Sequence, residues 1–484
     1  MSTHILIIGG GISGLAFAHR LDELSRQSGL PLKITLLEER GQLGGVIQSF
    51  REKGLLMEAG PDSFISIKPQ ALELCRRLSL RGELLQTNPE NQRSFILNRG
   101  RLQPVPKGFY LLAPTEIKTL IRLPFVGWLS KLRMGCDLFI PRRSKRQKHK
   151  DESVASFVRR RLGSGALKRI AQPMIAGIYS ADPEKLSLRA TFPHLEQMEQ
   201  EHGSLIRALA ARGKAQQDQT KEASGPRYSM FVSLRNGLDL LVKTLVQRLP
   251  SADFRTGTRV QSLRRNTQER WIAATDTGEE FEADAVCLAV PSVRAAELLA
   301  PLDTALSAEL EGIPYASVAT VNLVFDRNDI AHPLDGFGFV IPRVEGKRLV
   351  GVSFSSIKFE GRAPAGQALL RAYLGGAGDE GICDLDDKEM VSLVCAELKE
   401  ILGLKAQPLM TRVARWPGSM PQYHVGHLER VDRIEKLAAL HPGLVLTGSA
   451  YRGGGVPDCV GHAEKAAEEL IQQMSLCEMG IGRP

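Results

Sequence analysis

Residues 4–8, His-Ile-Leu-Ile-Ile, run directly into Gly9-Gly10-Gly11-Ile12-Ser13-Gly14, and a second apolar run, Ile34-Thr35-Leu36-Leu37, ends in Glu38. An apolar strand, Gly9, Gly11 and Gly14 at G-x-G-x-x-G spacing, a helical stretch with Leu15, Ala16, Ala18, Leu21 and Leu24, and a second strand closing on an acid predict a dinucleotide-binding βαβ unit. The glycines divide the work. Gly9 allows the tight turn, Gly11 lets backbone approach a pyrophosphate, and Gly14 lets the helix pack close to the strand. The helix N-terminus, from Ile12 and Ser13 onward, offers free N–H groups and a positive dipole end to phosphate, and Glu38 is placed to accept ribose hydroxyls.

Gly44-Gly45, following Glu38-Glu39-Arg40, narrows the cofactor. Nicotinamide dehydrogenases seldom need a second glycine pair, whereas FAD oxidases of the amine-oxidase type run from the acid through a basic residue into Gly-Gly. The pattern resembles the latter, so FAD is expected, with Glu39, Arg40, Gly44 and Gly45 in its site. Arg40 reads either as a pyrophosphate partner or as a surface ion pair.

At 484 residues the chain is too long for one core, and two or three domains are expected. No segment offers the roughly 20 unbroken apolar residues that a spanning helix needs. The glycine motif starts too near residue 1 for a removable leader ahead of it, so a cytoplasmic location is expected. Seven scattered cysteines without a C-x-x-C pair point to free thiols, with neither a disulfide framework nor a metal site. The net charge of +9 fits nucleic acid, anionic lipid or an acidic small molecule. No nucleic-acid motif accompanies it, which favours the last two.

The fold class is α/β: a discontinuous FAD-binding Rossmann-like domain (1–88, 236–298 and 438–484), a mixed-sheet substrate domain (89–106, 188–235 and 299–437) and an inserted helical subdomain (107–187). Ala71, Leu74, Cys75 and Leu78 predict one amphipathic helix, and Leu238, Leu241, Val242, Leu245 and Leu249 another. Residues 94–106 read as a hairpin turning at Arg99-Gly100, Val318 to Phe325 as a strand, Lys388 to Leu402 as a helix, and Leu444 to Gly448, the glycine-rich Tyr451 to Asp458 and Cys459 to Met474 as a closing strand, loop and helix. Between Phe109 and Ile140 apolar residues (Ile117, Leu120, Ile121, Phe125, Leu129, Leu132) alternate with Lys118, Arg122, Lys131 and Arg133, ahead of the basic run at 142–146. Such a stretch either lies on an anionic bilayer surface or packs its apolar faces on one another. Residues 212–226 hold nothing larger than alanine to bury and read as a mobile loop.

Several segments together resemble the oxygen-dependent protoporphyrinogen oxidase family, which includes coproporphyrinogen III oxidases. They are Gly60-Pro61-Asp62-Ser63-Phe64, Glu152-Ser153-Val154 with Phe157 to Arg160, Gly177 to Ser187, Ala190 to Pro193, Gln422-Tyr423 with Gly426-His427, and Tyr451 to Cys459. The stretch from Gly177 to Ser187 and the Val456-Pro457-Asp458-Cys459 loop are the specific ones. The resemblance implies oxidation of a porphyrinogen in heme biosynthesis by hydride transfer to flavin N5, in three two-electron rounds, with O₂ reoxidising FAD to give hydrogen peroxide. Because the cofactor does the hard step, no catalytic acid or base is assigned. The same resemblance implies FAD contacts from Gly9, Gly10, Gly11, Ile12, Ser13, Gly14, Glu38, Gly60, Pro61, Asp62, Ser63, Val260, Trp416, Gly454, Gly455 and Val456. Read from the residues alone, Trp416 is as well a core aromatic.

On the substrate side Gly177 is expected to let backbone approach the reacting ring, its plain reading being a helix terminator. In the protoporphyrinogen branch an arginine directly precedes the aromatic of the strand leading to Val105-Pro106 and pairs with a propionate. Here Ser94 precedes Phe95 and Arg93 lies one position back, a shift that turns a strand side chain to the other face. That departure leans toward coproporphyrinogen, with four propionates instead of two, as the substrate. His427 reads as a hydrogen-bonded structural residue. The rival readings are an amine oxidase, for which seven Tyr and three Trp form no evident aromatic cage, a carotenoid-type desaturase, and a flavin-free carrier of prenylated GTPases, which needs none of Glu38, Gly44-Gly45 and the late glycine loop. The oligomeric state is left open.

Overall fold

The computed structural model describes residues 3–106, 109–110, 113–114, 121–143, 150–211 and 230–478. Ile117, Lys118, Leu120, the end of the basic run at 144–146 and the glycine- and glutamine-bearing segment 212–226 lie outside them. A five-stranded parallel sheet organises the cofactor side, in the order Asp253–Thr256, Leu32–Glu38, Thr3–Ile8, Ala285–Leu288, Leu444–Leu446. Its strands come from both ends and the middle of the chain. Strand side chains alternate between faces, and both faces are covered here. Ile5 and Ile7 join a core built with the helices Ile12–Ser28, Gln70–Arg77, Asp239–Gln247 and Val456–Glu478. Leu6 and Ile8 join a second core under the helices Ser292–Leu299, Thr304–Glu311 and His427–Ala438. The run from 260 to 283 does not extend the parallel sheet. It forms a separate three-stranded antiparallel sheet (Val260–Arg265, Trp271–Thr275, Glu280–Ala283) roofing the second core.

The second large sheet has seven strands, in the order Met410–Pro421, Tyr315–Asp326, Gln367–Gly375, Leu349–Phe354, Gly338–Val340, Phe95–Asn98, Arg101–Pro104. It is mixed, because Gly338–Val340 runs parallel to Phe95–Asn98 while the other pairs are antiparallel. The hairpin turns at Arg99 (φ +52°) and Gly100 (φ +72°), the two positive φ values that a two-residue turn between twisted strands requires. One face packs on the helix Asp387–Leu402, which opens with a capping box of Asp386 and Glu389 and closes on left-handed Gly403. The other face turns toward the cofactor side and the helices.

Those helices (Trp128–Gly135, Val154–Arg161, Gln172–Tyr179, Leu188–Thr191, Pro193–His202) share one apolar core that also holds Leu205, Ala208 and Leu209. The helical cluster therefore runs on past 187. Val232 and Leu234, in a strand beside Phe64–Ile65 and Leu84–Gln86, pack instead into the cofactor core. Among the described residues no helix is long and apolar enough to cross a membrane, and no three His, Cys, Asp or Glu side chains cluster as metal ligands.

Candidate flavin and substrate site

The glycine turn is shaped by backbone, with the Glu38 carboxylate as its side-chain support. Gly9 (φ +108°) would bring a Cβ to 2.5 Å from the Ala289 carbonyl oxygen, and a Cβ on Gly14 would lie 2.0 Å from that of Gly9. At Gly11 a Cβ meets nothing within 4 Å. Gly11 also caps the helix with no side-chain hydrogen bond, so the first-turn amides of Ile12, Ser13 and Gly14 face an open cradle without a side-chain cap. A diphosphate fits such a cradle. The second glycine pair packs on the first: the Gly44 amide donates to the Gly10 carbonyl at 2.8 Å, and a Cβ on Gly45 would come within 3.2 Å of Gly11 Cα. Glu38 is buried where its strand ends. Its carboxylate accepts the Gly10 amide at 2.7 Å and the Arg40 amide at 2.9 Å. The amide of Thr258 reaches the Glu38 carbonyl and brings buried Val260 alongside.

The loop from Glu58 to Ser63 is held in the opposite way, by side chains from the seven-stranded sheet. The Ala59 carbonyl accepts Thr320 Oγ1 at 3.0 Å, Trp416 Nε1 at 3.0 Å and Arg371 Nη2 at 3.2 Å. Asn322 donates to the Glu58 carbonyl at 3.1 Å, and Arg371 also donates to that of Gly60. Gly60 has no room for a side chain, since its Cβ would lie 1.8 Å from the Val46 carbonyl oxygen. Lys358 Nζ grips both Asp62 oxygens at 3.1 Å, and Ser63 Oγ donates to Asp62 at 2.7 Å. Burial alone would push the Asp62 carboxyl up, but Lys358 and Arg371 outweigh it and hold it at about 2.

A third loop, 447–456, comes from the carboxyl end and is fastened by Tyr423 and His427. The Tyr423 ring stacks on His427 at 4.3 Å and its hydroxyl donates to the Ser449 carbonyl. His427 Nε2 bonds the Tyr451 carbonyl at 2.7 Å. Burial lowers the His427 pKa to about 4 against the pull of that carbonyl, so the ring is neutral near pH 7. With its nitrogen taken by backbone, it is a strut. Gly454 leaves space under Tyr423, whose hydroxyl would be 3.4 Å from a Cβ there.

Two of the segments that carried the resemblance, Gly177 to Ser187 and Gln422-Tyr423 with Gly426-His427, meet in one knot beside Asp151. The Ser187 amide donates to the Tyr423 carbonyl at 2.7 Å, Ser187 Oγ and the Gly426 amide both reach Asp151 Oδ2 at 2.6 and 3.1 Å, and Gln422 Nε2 reaches the Tyr179 carbonyl at 3.3 Å. The helix Gln172–Tyr179 is thereby coupled to the loop at 447–456. Residues 12–471 match the family described as flavin containing amine oxidoreductase. The chain belongs to that family. Coproporphyrinogen III oxidase of Bacillus subtilis (strain 168) is 35% identical over 469 residues, 97% of this chain and 98% of that protein. Chloroplastic protoporphyrinogen oxidase 1 of Spinacia oleracea is 31% identical over 494 residues, 97% of this chain and 84% of that one. A crystal structure from Exiguobacterium sp. 255-15, provisionally named a protoporphyrinogen oxidase, superposes with a TM-score of 0.85 at 30% identity, covering 98% of this chain and 99% of that one.

Within this flavoprotein the expected residues are distributed unevenly. The glycine turn, Glu38, Gly44-Gly45 and Val260 come together, and Arg40 lies over the Trp416 ring at 5.7 Å. Glu39 points away, exposed, toward Arg259 at 3.9 Å. Gly177 is not the helix terminator, because the helix ends at left-handed Ser180 (φ +51°). Gly177 is exposed three residues earlier, with Ile178 beside it and Val340 Cγ1 3.6 Å from where its Cβ would be. A π-helical turn, Leu167–Ala171, leads into this helix, a distortion that is frequent at functional sites. Arg93 is held at the surface by Asp335 at 2.7 Å, while Phe95 packs on the far face of the sheet and Ile96 into the helical cluster. Sequence reading passed over Thr320, Asn322, Lys358 and Arg371. For Thr320, Asn322 and Arg371 the signal was a polar residue inside an apolar strand, as in Val-Ala-Thr-Val-Asn-Leu-Val-Phe and Ala-Leu-Leu-Arg-Ala-Tyr-Leu, whereas Lys358, in the short helix Ser355–Lys358, had none.

Proposed function

We propose that this flavoprotein oxidises a porphyrinogen to the porphyrin in heme biosynthesis, using FAD and dioxygen, with coproporphyrinogen III favoured over protoporphyrinogen IX. The observation that carries the reading is the end-to-end match, at 35% identity, to a protein named coproporphyrinogen III oxidase. When bound, FAD supplies two-electron oxidation and returns the electrons to dioxygen as hydrogen peroxide. The chain has the simpler tasks. Amides of Gly11 to Gly14 hold the diphosphate, Glu38 the ribose, and the loops 60–63 and 454–456 the ring system. Gly177 and Ile178 offer backbone and apolar surface to a flat macrocycle entering between the helical cluster and the seven-stranded sheet. His427, neutral and bonded to backbone, and Asp62, paired with Lys358, are supports in this reading and are not assigned as acid or base. Offering both porphyrinogens aerobically and following porphyrin fluorescence with peroxide tests the reading. Faster turnover of the four-propionate substrate is expected; a colourless protein that cannot be reconstituted with FAD overturns it.

A second observation supports attachment to an anionic membrane surface. Leu123, Phe125, Val126 and Met134 pack into the helical core, but Trp128 (68% exposed), Leu129 (84%), Leu132 (68%) and Phe139 (83%) do not. Lys131, over the Trp128 ring at 4.8 Å, and Arg142 flank them. Apolar side chains rimmed by base bind anionic bilayers in a salt-dependent way. Co-sedimentation with phosphatidylserine vesicles at low salt and release at high salt is expected, and Leu129→Asp should abolish it with the fold intact.

A further inference from the structure

Arg371 is more than the loop clamp requires. Its guanidinium is buried, at 3% exposure, opposite Asn322 in the strand pairing, and lies 5.0 Å over the Tyr373 ring. Its hydrogen bonds go to the Ala59 and Gly60 carbonyls, its Nε has no partner, and among the described residues no carboxylate lies within ion-pair distance. The Ala59 carbonyl already has two donors at 3.0 Å, from Thr320 and Trp416, which match its two lone pairs. For Gly60 a neutral donor would suffice. The surroundings neutralise Arg371 only in part, because Asp62 and Glu58 act on it from beyond contact distance while their oxygens are held by other groups. Lys358 takes Asp62, and among the described residues buried Arg362 donates only to the Ser233 hydroxyl and the carbonyls of Leu234 and Arg235. Glu58 bonds the Leu238 amide and the Ser49 hydroxyl. Three buried cations thus face two carboxylates.

A buried cation without a counter-ion in contact, in a cluster where cations outnumber carboxylates, is costly, so a site that keeps one is set for negative charge arriving there. We infer that Arg371 is a positioning residue whose charge, held against the Gly60 carbonyl, favours the reduced form of the flavin carried by this loop. The inference rests on the reading of residues 60–63 as flavin contacts. Uptake of two electrons and one proton leaves the flavin one unit more negative than before, and a fixed cation in a water-poor setting favours that change without reorganising.

The test compares wild-type holoprotein with Arg371→Gln and Arg371→Lys by FAD content, affinity of the apoprotein for FAD and the flavin midpoint potential. Arg371→Gln should retain FAD while its preference for the reduced flavin falls at least tenfold, about 30 mV for a two-electron couple. Arg371→Lys should stay within threefold of wild type. An unchanged potential in Arg371→Gln, or equal shifts in both variants, overturns the inference and leaves a clamp of shape alone. Loss of FAD from both variants does the same, whereas loss from Arg371→Gln with a wild-type potential in Arg371→Lys supports it. A wild-type protein that holds no flavin would instead refute the functional reading beneath it.

Discussion

The glycine turn at 9–14 and the loop at 58–63 are both assigned to the flavin, yet they are built in opposite ways. The first is bare backbone: its cradle is open at Gly11 and no side chain caps its helix. The second is crowded: Ala59 alone receives three side-chain donors from three neighbouring strands, and Gly60 abuts Val46. A cradle for a diphosphate needs only amides and space, so a few local residues specify it. A loop that must hold its shape between two sheets draws its support from residues some 260 to 360 positions away, and no local pattern announces them.

The sharpest way to break this contrast is a matched pair of methyl groups. Gly60→Ala forces its Cβ into the Val46 backbone and should cost about 3 kcal/mol or more, seen as a lower Tm of the apoprotein and loss of soluble yield. Gly11→Ala adds the same methyl in open space, on a backbone (φ −72°, ψ −178°) that any residue adopts. Its apoprotein Tm should match wild type within about 0.5 kcal/mol, while FAD affinity drops at least about tenfold because the methyl fills the cradle. Equal stability losses in the two variants would end the distinction.

Next in size is Asp62→Asn, which leaves the Lys358 ammonium buried and unpaired, a loss of about 3 kcal/mol. It carries a pH signature. The folded-state pKa of Asp62, about 2, is below its ordinary 3.8, so the folded state binds fewer protons there than the unfolded chain. The resulting stability, about 2 kcal/mol, is complete above about pH 4 and is lost as pH falls toward 2. Denaturation profiles between those limits should be flatter for the variant; parallel profiles would mean that Asp62 is not charged through its pair with Lys358. Smaller again is Glu38→Ala. The buried amides of Gly10 and Arg40 lose their acceptor, at about 2 kcal/mol in the apoprotein. FAD retention should fall as well, and Glu38→Gln, which keeps one acceptor oxygen, should recover part of both.

What could be read from the sequence follows the same division. The strand at 3–8, the turn, the acid, the helix at 387–402 and the Arg99-Gly100 hairpin each depend on residues within one or two turns of one another. The edge strand Asp253–Thr256 escaped notice because Phe254 is its one apolar residue. The segment from 260 to 283 belongs by sequence to the cofactor domain, but its sheet was not legible, because alternation fixes which face is buried and is silent on which sheet the strand joins. The motifs at 177–187 and 422–427 mark the family, yet their hydrogen bonds tie them to each other, to Asp151 and to the loop at 447–456. Their part in the site is to fasten the helix bearing Gly177 to the loop at 447–456, a purpose that only the assembled chain makes visible. Trp416 lies between the two cases: its sequence context marks it for the cofactor, while its indole N–H is given to Ala59.

Trp416→Phe separates those two roles with the smallest effect expected here. An aromatic ring is kept, though a smaller one, the donor is lost, and Ala59 still accepts from Thr320 and Arg371, so no buried carbonyl is left without a partner. The cost should be near that of one neutral hydrogen bond, about 1 kcal/mol, with FAD content unchanged. The phenyl ring also keeps an aromatic face toward Arg40, now 5.7 Å from the indole centroid, so the variant tests the N–H together with the packing of the larger ring. If FAD is instead released, the indole touches the flavin, and the loop at 58–63 shares its hold on the cofactor with the strand that supports it. If stability falls by much more than one hydrogen bond, the three donors on Ala59 act as a unit, and the crowded loop is more finely balanced than the bare turn it accompanies.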